Sequence, residues 1–215
     1  MLKKRGATEM STSEKFWDKT ASNYDQLEKK DEQTYIHIIE STKTHLKTSD
    51  VVLDFGCATG RISNEMAKYV TEIHGIDTSA NMIGIAENKA KESNITNINY
   101  AHTTIFDERY KEGTFDVILV FHVLHLLDDA PIALQRMNEL LKPGGLLITA
   151  TPCVGEKIFL KSLLSFAGRV GFAPKIQSFK LPHLIDTIEG GHFSIIETNG
   201  LRKSSQEYYI VARKI

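Results

Sequence analysis

Residues 51–61, Val-Val-Leu-Asp-Phe-Gly-Cys-Ala-Thr-Gly-Arg, decide how the rest of the chain is read. Val51 to Phe55 is a short apolar run and reads as a strand, while Ile62, Met66 and Tyr69 recur on one face of a helix just beyond it. The glycine-rich segment Asp54 to Gly60 turns the one into the other. Glu72 to Ile76 reads as a second strand, so one strand-helix-strand unit is complete by Asp77. Ser79 is placed to cap a second helix striped with Met82, Ile83 and Ala86, which gives out near Asn94. Ile98 to Ala101 follows as a third strand. Phe115 to Phe121 is the continuous apolar run of a buried parallel strand. Pro131 starts a helix carrying Ile132, Leu134, Met137, Leu140 and Leu141; Lys142-Pro143-Gly144-Gly145 stops it, and Leu146 to Ala150 is the fifth strand. This alternation predicts the α/β class, a doubly wound parallel sheet with helices on both faces.

Thr151 to Lys180 interrupts the alternation. It is rich in Phe and Leu, with Phe159, Leu160, Leu163, Leu164 and Phe166 at helical spacing, and is expected to form an inserted helical lid over 151–180. Such a stripe also fits a plain core-facing surface. Leu181 to Glu189 forms one more helix, and Phe193 to Thr198 and Glu207 to Ala212, joined by a polar turn around Asn199-Gly200, read as a closing hairpin.

Length and composition bound the rest. The chain has 215 residues, enough for a single domain (1–215) with an appended or inserted element, and 26 basic residues nearly cancel 27 acidic ones. Nothing in that balance resembles a nucleic-acid footprint, and Lys3, Lys4 and Arg5 read as a solvated tail. The two cysteines, Cys57 and Cys153, show neither disulfide nor zinc spacing. No apolar run reaches the length of a membrane span, and no secretory signal is visible, so a cytoplasmic protein is expected.

The glycine loop carries the chemistry. Gly56 lets the backbone bend tightly and approach a ligand, Gly60 keeps the helix close to the sheet, and free N–H groups at the helix start favour an anionic group. An ordinary strand-to-helix turn would use the same residues. Asp77 ends the second strand 17 residues after Gly60, close to the spacing at which a carboxylate receives the two hydroxyls of a ribose. It also stands where an acidic helix-capping residue would, and the two roles can coexist.

Val51 to Arg61, Gly75 to Ile83 and Leu140 to Gly145 together resemble the successive motifs of class I (Rossmann-like) S-adenosylmethionine-dependent methyltransferases, especially the small-molecule branch of ubiquinone and menaquinone biosynthesis methyltransferases. Phe16 to Asp25 is similar to that family's N-terminal Ala-x-x-Tyr-Asp signature. The resemblance covers roughly residues 14–150. It implies seven strands in the order 3-2-1-4-5-7-6 with strand 7 antiparallel, an N-terminal helical cap over 14–50, and S-adenosyl-L-methionine as cofactor, leaving S-adenosyl-L-homocysteine. It further implies cofactor contacts from Tyr24, from Asp54, Gly56, Cys57, Ala58 and Gly60 of the loop, and from Asp77, Thr78, Met82 and Phe121. The acidic residue that often accepts from the adenine amino group is replaced here by Thr104, within Thr103-Thr104-Ile105.

The acceptor should sit beyond the carboxyl ends of strands four and five. His122 and His125 are the candidate catalytic residues, since imidazole titrates nearest neutrality and can take a proton from a hydroxyl or thiol. The segment also fits donor-pocket packing, and its His-x-x-His spacing lacks a third metal ligand, so no metal is expected. Cys57 has no adjacent base and receives no catalytic role. The expected function is in-line methyl transfer to a small, partly apolar organic acceptor, by a monomer or homodimer without nucleic acid or stable membrane insertion. The alternatives are a non-catalytic S-adenosylmethionine-binding sensor and a nicotinamide dehydrogenase, and the absent middle glycine of Gly56-x-x-x-Gly60 argues against the latter.

Overall fold

In the computed structural model, which describes residues 12–153, 176–202 and 206–215, the elements run α1 (Thr12–Glu28), α2 (Glu32–Lys43), β1 (Val51–Phe55), α3 (Arg61–Met66), β2 (Glu72–Asp77), α4 (Ala80–Glu92), β3 (Ile98–His102), β4 (Phe115–Phe121), α5 (Ala130–Leu140), β5 (Leu141–Pro152), α6 (Leu181–Gly190), β6 (Phe193–Gly200) and β7 (Glu207–Lys214). Among the described residues the strands form one seven-stranded sheet in the order β3-β2-β1-β4-β5-β7-β6. β1 to β5 pair in parallel, and β7 runs antiparallel to both β5 and β6. Both the strand order and the reversal of β7 match the expectation.

Side-chain alternation divides the core. Leu53, Ile118, Val120, Leu147, Ile210 and Ala212 join one cluster with Leu134 and Met137 of α5 and Leu184 and Ile188 of α6. Their neighbours Val52, Val117, Leu119, Ile148, Tyr209 and Val211 join a second cluster with Ile38 of α2 and Ile62 and Met66 of α3. Successive strand residues point to opposite faces, so the sheet is covered on both sides. α2 therefore belongs to the core layer, and within the expected 14–50 cap only α1 lies outside it, packed on α4.

Several local expectations are corrected. Ile132 is 54% exposed, because the stripe that α5 turns inward is Ala133, Leu134, Met137 and Leu140, with Asp129 capping the helix through the Ile132 N–H. β5 begins earlier than read: Phe115 pairs with Leu141 and Val117 with Leu146, so Lys142 to Gly145 bulges within the strand. Asn199-Gly200 is not a turn. Both residues pair with Tyr209 and Tyr208, and the Leu201 N–H donates to the Glu207 carbonyl at 2.9 Å, so the hairpin reverses beyond them. The lid expected over 151–180 falls for the most part on 154–175, outside the described residues. Of its flanks, Thr151 and Pro152 belong to β5 and Phe179 is buried in the first cluster. No helix among the described residues is long and apolar enough to cross a membrane.

Candidate functional site

The crevice opens where β1 and β4, neighbours whose crossovers leave in opposite directions, end side by side. A cavity of about 450 Å³ lies there, walled by Gly56 and Ala58 of the loop, Asp77, Thr78 and Met82 after β2, Phe121, His122 and His125 after β4, and Trp17, Tyr24 and Glu28 of α1.

Gly56 and Gly60 both have a φ of 76°, in the left-handed region that glycine tolerates. A Cβ on Gly56 would stand 2.3 Å from Val123 Cγ2, and one on Gly60 2.4 Å from the Tyr100 hydroxyl. The first glycine thus shapes the cavity wall, and the second lets α3 lie close to the sheet. Four of the loop's own N–H groups, which precede the start of α3, have partners within the protein. Those of Gly56 and Cys57 donate to the Ile76 carbonyl (2.8 and 3.0 Å), that of Ala58 to Asp77 Oδ2 (3.1 Å) and that of Gly60 to the Cys57 carbonyl (2.9 Å).

Asp77 is the hub of this wall. Its Oδ1 accepts the Ser79 N–H at 2.8 Å, which leaves lone pairs on both oxygens for further donors. Burial pushes its carboxyl above the usual range, and the Ser79 and Ala58 N–H groups pull the other way. Ser79 caps α4, accepting from the Met82 N–H at 3.1 Å. The cap thus falls to Ser79, as its place in the sequence predicts, and not to Asp77.

α1 forms the roof. Asp18 Oδ1 accepts from the Ser79 hydroxyl at 2.5 Å and from the Asn81 N–H at 3.1 Å. Asp25 accepts from the Thr59 hydroxyl at 2.6 Å and pairs with Lys89 at 2.6 Å. Two carboxylates on one helix thus pin it to the glycine loop and to α4, and Tyr24 between them is held over the crevice. Glu28, one turn beyond Tyr24, is buried in the same wall. Its Oε2 accepts no hydrogen bond, and Arg61 Nη1 stands 3.9 Å away. Burial pushes the Glu28 carboxyl up, with Tyr35 and Arg61 opposing the rise. An orphaned carboxylate oxygen beside a guanidinium suits the ammonium and carboxylate of an amino acid.

The structure therefore brings Tyr24, Gly56, Ala58, Asp77, Thr78, Met82, Phe121, His122 and His125 together at one cavity. Asp54 and Cys57 line only a narrow recess behind it. Asp54 is buried and takes the Ser63 hydroxyl, and burial lifts its carboxyl to about 7. Cys57 is buried with its thiol pushed well up by burial, and Cys153 is likewise lifted to about 11, so neither is a ready thiolate. Thr103, Thr104 and Ile105 do not line the cavity. The Thr103 hydroxyl donates to Asp107 at 2.7 Å, Thr104 is exposed, and Ile105 is in the core with its carbonyl facing Arg136, so the bend after β3 turns away toward α5.

Trp17, Glu28, Tyr35 and Glu207 line the candidate site and were not singled out by the sequence reading. Ser13, Trp17, Tyr24 and Glu28 lie four and seven residues apart on one helix face, so Tyr24 alone marks the others once α1 is taken as a helix. Glu207 carries no such signal, because it meets His122 across 85 residues.

A family described as a methyltransferase domain matches residues 46–178, more than half of the chain. The ubiquinone biosynthesis O-methyltransferase of Cereibacter sphaeroides is 32% identical over 124 residues, which cover 58% of this chain and 50% of that protein. The demethylmenaquinone methyltransferase of Staphylococcus haemolyticus is 31% identical over 107 residues, 48% of this chain and 44% of that protein. The chain spans about half the length of the curated relatives it matches. Among solved structures, the cyclase SpnF superposes with a TM-score of 0.69 at 15% identity over 84% of this chain and 81% of that one, a likeness of fold alone.

Proposed function

Since the chain belongs to the methyltransferase-domain family, whose class I members use S-adenosylmethionine, we propose that it transfers a methyl group from this donor to a small, partly apolar organic acceptor. One observation carries the proposal. The same cavity presents a carboxylate with spare lone pairs at Asp77, a bend at Gly56 that admits no side chain, and the orphaned Glu28 oxygen near Arg61. Ribose hydroxyls suit the first, close approach of a ligand suits the second, and an amino-acid zwitterion suits the third.

When bound, the donor supplies a methyl carbon already activated on a sulfonium. The chain's own residues have the work of binding, alignment and exclusion of water. Asp77 receives the ribose diol, Thr78 and Met82 flank the base, and Glu28 with Arg61 takes the amino-acid end. Tyr24 and Trp17 close the crevice from above. Their rings meet edge to face at 6.1 Å, which keeps both in place against the opening. Phe55, Phe121 and Leu127 give the remaining wall its apolar character and favour an apolar acceptor. A near-zero net charge favours a free small molecule over nucleic acid, and two buried free thiols favour a reducing cytoplasm.

Isothermal calorimetry with S-adenosylmethionine and labelled-methyl transfer into a metabolite extract test the reading. Asp77→Ala should weaken donor affinity by roughly 10- to 100-fold, the worth of hydrogen bonds to a charged acceptor. Unchanged affinity would remove the ribose assignment. Donor binding with no labelled product from any extract would replace the enzyme by a sensor.

A further inference from the structure

His122 leaves the end of β4 with a φ of 58°, in the left-handed region that a residue with a Cβ rarely adopts. Its N–H donates to the Ala150 carbonyl at 2.8 Å, which holds the backbone in that conformation. The ring is therefore thrown out of the strand direction and into the cavity wall. There its Nε2 meets Oε1 of Glu207, the first residue of β7, and both side chains line the cavity. Glu207 is itself 91% buried, with a residual exposure of 9%. Tyr35 of α2 places its ring edge-on to the imidazole at 5.7 Å. Besides Tyr35, the titratable groups facing this corner are His125, whose pKa burial pushes down to about 3, Tyr24 and Glu28 of α1, and Cys153, whose thiol burial and Glu207 together push up. His125 is neutral and a poor proton acceptor near pH 7.

We propose that Glu207 is a positioning residue for His122, and that the pair removes the proton from a hydroxyl acceptor as it is methylated. The proposal rests on the methyl-transfer reading above and names the acceptor class within it. A carboxylate can only accept, so Nε2 carries the shared proton and Nδ1 keeps the lone pair. The acceptor O–H bond breaks and its proton goes to Nδ1. The oxygen electron pair forms the new C–O bond, and the S–C bonding pair stays on sulfur. Glu207 then faces an imidazolium, whose charge it offsets. An amine offers its lone pair without prior deprotonation, and a thiol ionises near pH 8.5 unaided. A hydroxyl is the acceptor for which a held base makes the largest difference.

The first experiment needs neither donor nor acceptor. Two-dimensional NMR of the ligand-free protein should show a slowly exchanging, downfield Nε2–H signal from His122 that is lost in Glu207→Ala and retained in Glu207→Asp. An Nε2–H signal that persists unshifted in Glu207→Ala overturns the pairing. The second experiment offers the wild type a phenol, an aniline and a thiophenol of similar shape, with S-adenosylmethionine. Turnover of the phenol should fall about 100-fold or more in His122→Gln, with donor affinity by calorimetry unchanged. Turnover of aniline alone, or a phenol rate indifferent to His122→Gln, overturns the base role. Failure of the wild type to bind the donor at all would sink the methyl-transfer reading instead, and leaves the NMR result to judge the pair by itself.

Discussion

Replacing Gly56 by alanine asks one methyl group to occupy space that Val123 already fills. The new Cβ would lie 2.3 Å from Val123 Cγ2, with Val123 Cβ and Cγ1 at 3.5 and 3.6 Å, so the clash is with one methyl of one side chain. Overpacking of this kind costs about 1–3 kcal/mol. The φ of 76° adds a second term, about 1–2 kcal/mol for any residue with a Cβ in the left-handed region. Together they predict a loss of roughly 2–5 kcal/mol. The two terms separate in a double-mutant cycle, because Val123→Ala removes the clashing methyl and leaves the backbone term in place. Urea denaturation followed by the fluorescence of Trp17, the single tryptophan and a wall of the same cavity, measures each corner of the cycle. The coupling between the two substitutions should be favourable by about 1–3 kcal/mol. A coupling near zero would refute the assignment of Gly56 to the cavity wall, whatever the cost of the single variant.

Other perturbations follow from the same structure. His125 titrates near 3 in the fold against an ordinary 6.5, so the unfolded chain binds a proton that the native chain excludes. Its contribution to stability is present above pH 6.5 and is lost toward pH 3, with a slope of up to about 1.4 kcal/mol per pH unit. His125→Gln should flatten that slope in urea titrations between pH 7 and pH 4, and an unaltered slope counts against burial as the cause. Asp54, lifted from 3.8 to about 7, has the opposite sign: its contribution is present below pH 3.8 and fades as pH rises through 7. Asp54→Asn should therefore gain stability relative to the parent at pH 8 compared with pH 4, and equal differences at both would reject it. Asp18→Ala removes the acceptor of the Ser79 hydroxyl and the Asn81 N–H but spares the Ser79 cap of α4. Amide exchange should then accelerate in α1 by the equivalent of about 1–3 kcal/mol and stay constant in α4 beyond its first turn, where Asn81 loses its acceptor; equal acceleration along the whole of both helices would show that Asp18 is not a local clamp.

The parallel strands were legible because both of their faces are covered. Val51 to Phe55 and Phe115 to Phe121 carry apolar residues at nearly every position. The Gly56 bend and the Asp77 carboxylate were legible because each is a local consequence of strand, turn and helix in sequence. What failed was set by tertiary contact. Asn199-Gly200 has a strong turn composition, yet Tyr208 and Tyr209 across the ladder hold it extended. Ile132 sits at a plausible helical spacing, but the face that α5 buries in the core is that of Ala130, Ala133, Leu134 and Met137. Thr103 to Ile105 follow the right strand, yet the Thr103–Asp107 hydrogen bond bends them aside. The His122–Glu207 contact joins segments 85 residues apart, and no local pattern could have announced it.

The reversed direction of β7 has a topological outcome of its own. Of β1, β2, β4 and β5 only the last residue lines the crevice, so the rim is populated by chain that is departing from the sheet. β7 arrives there instead, with Glu207 opposite Pro152 at the very edge of the ladder. Side chains alternate along that strand, so inserting a single residue between Glu207 and Tyr208 would either push the carboxylate past the rim or turn Tyr209 and Val211 out of the hydrophobic interior. The register that seals the interior is thereby the same one that sets the acid against the imidazole, and neither can drift without the other.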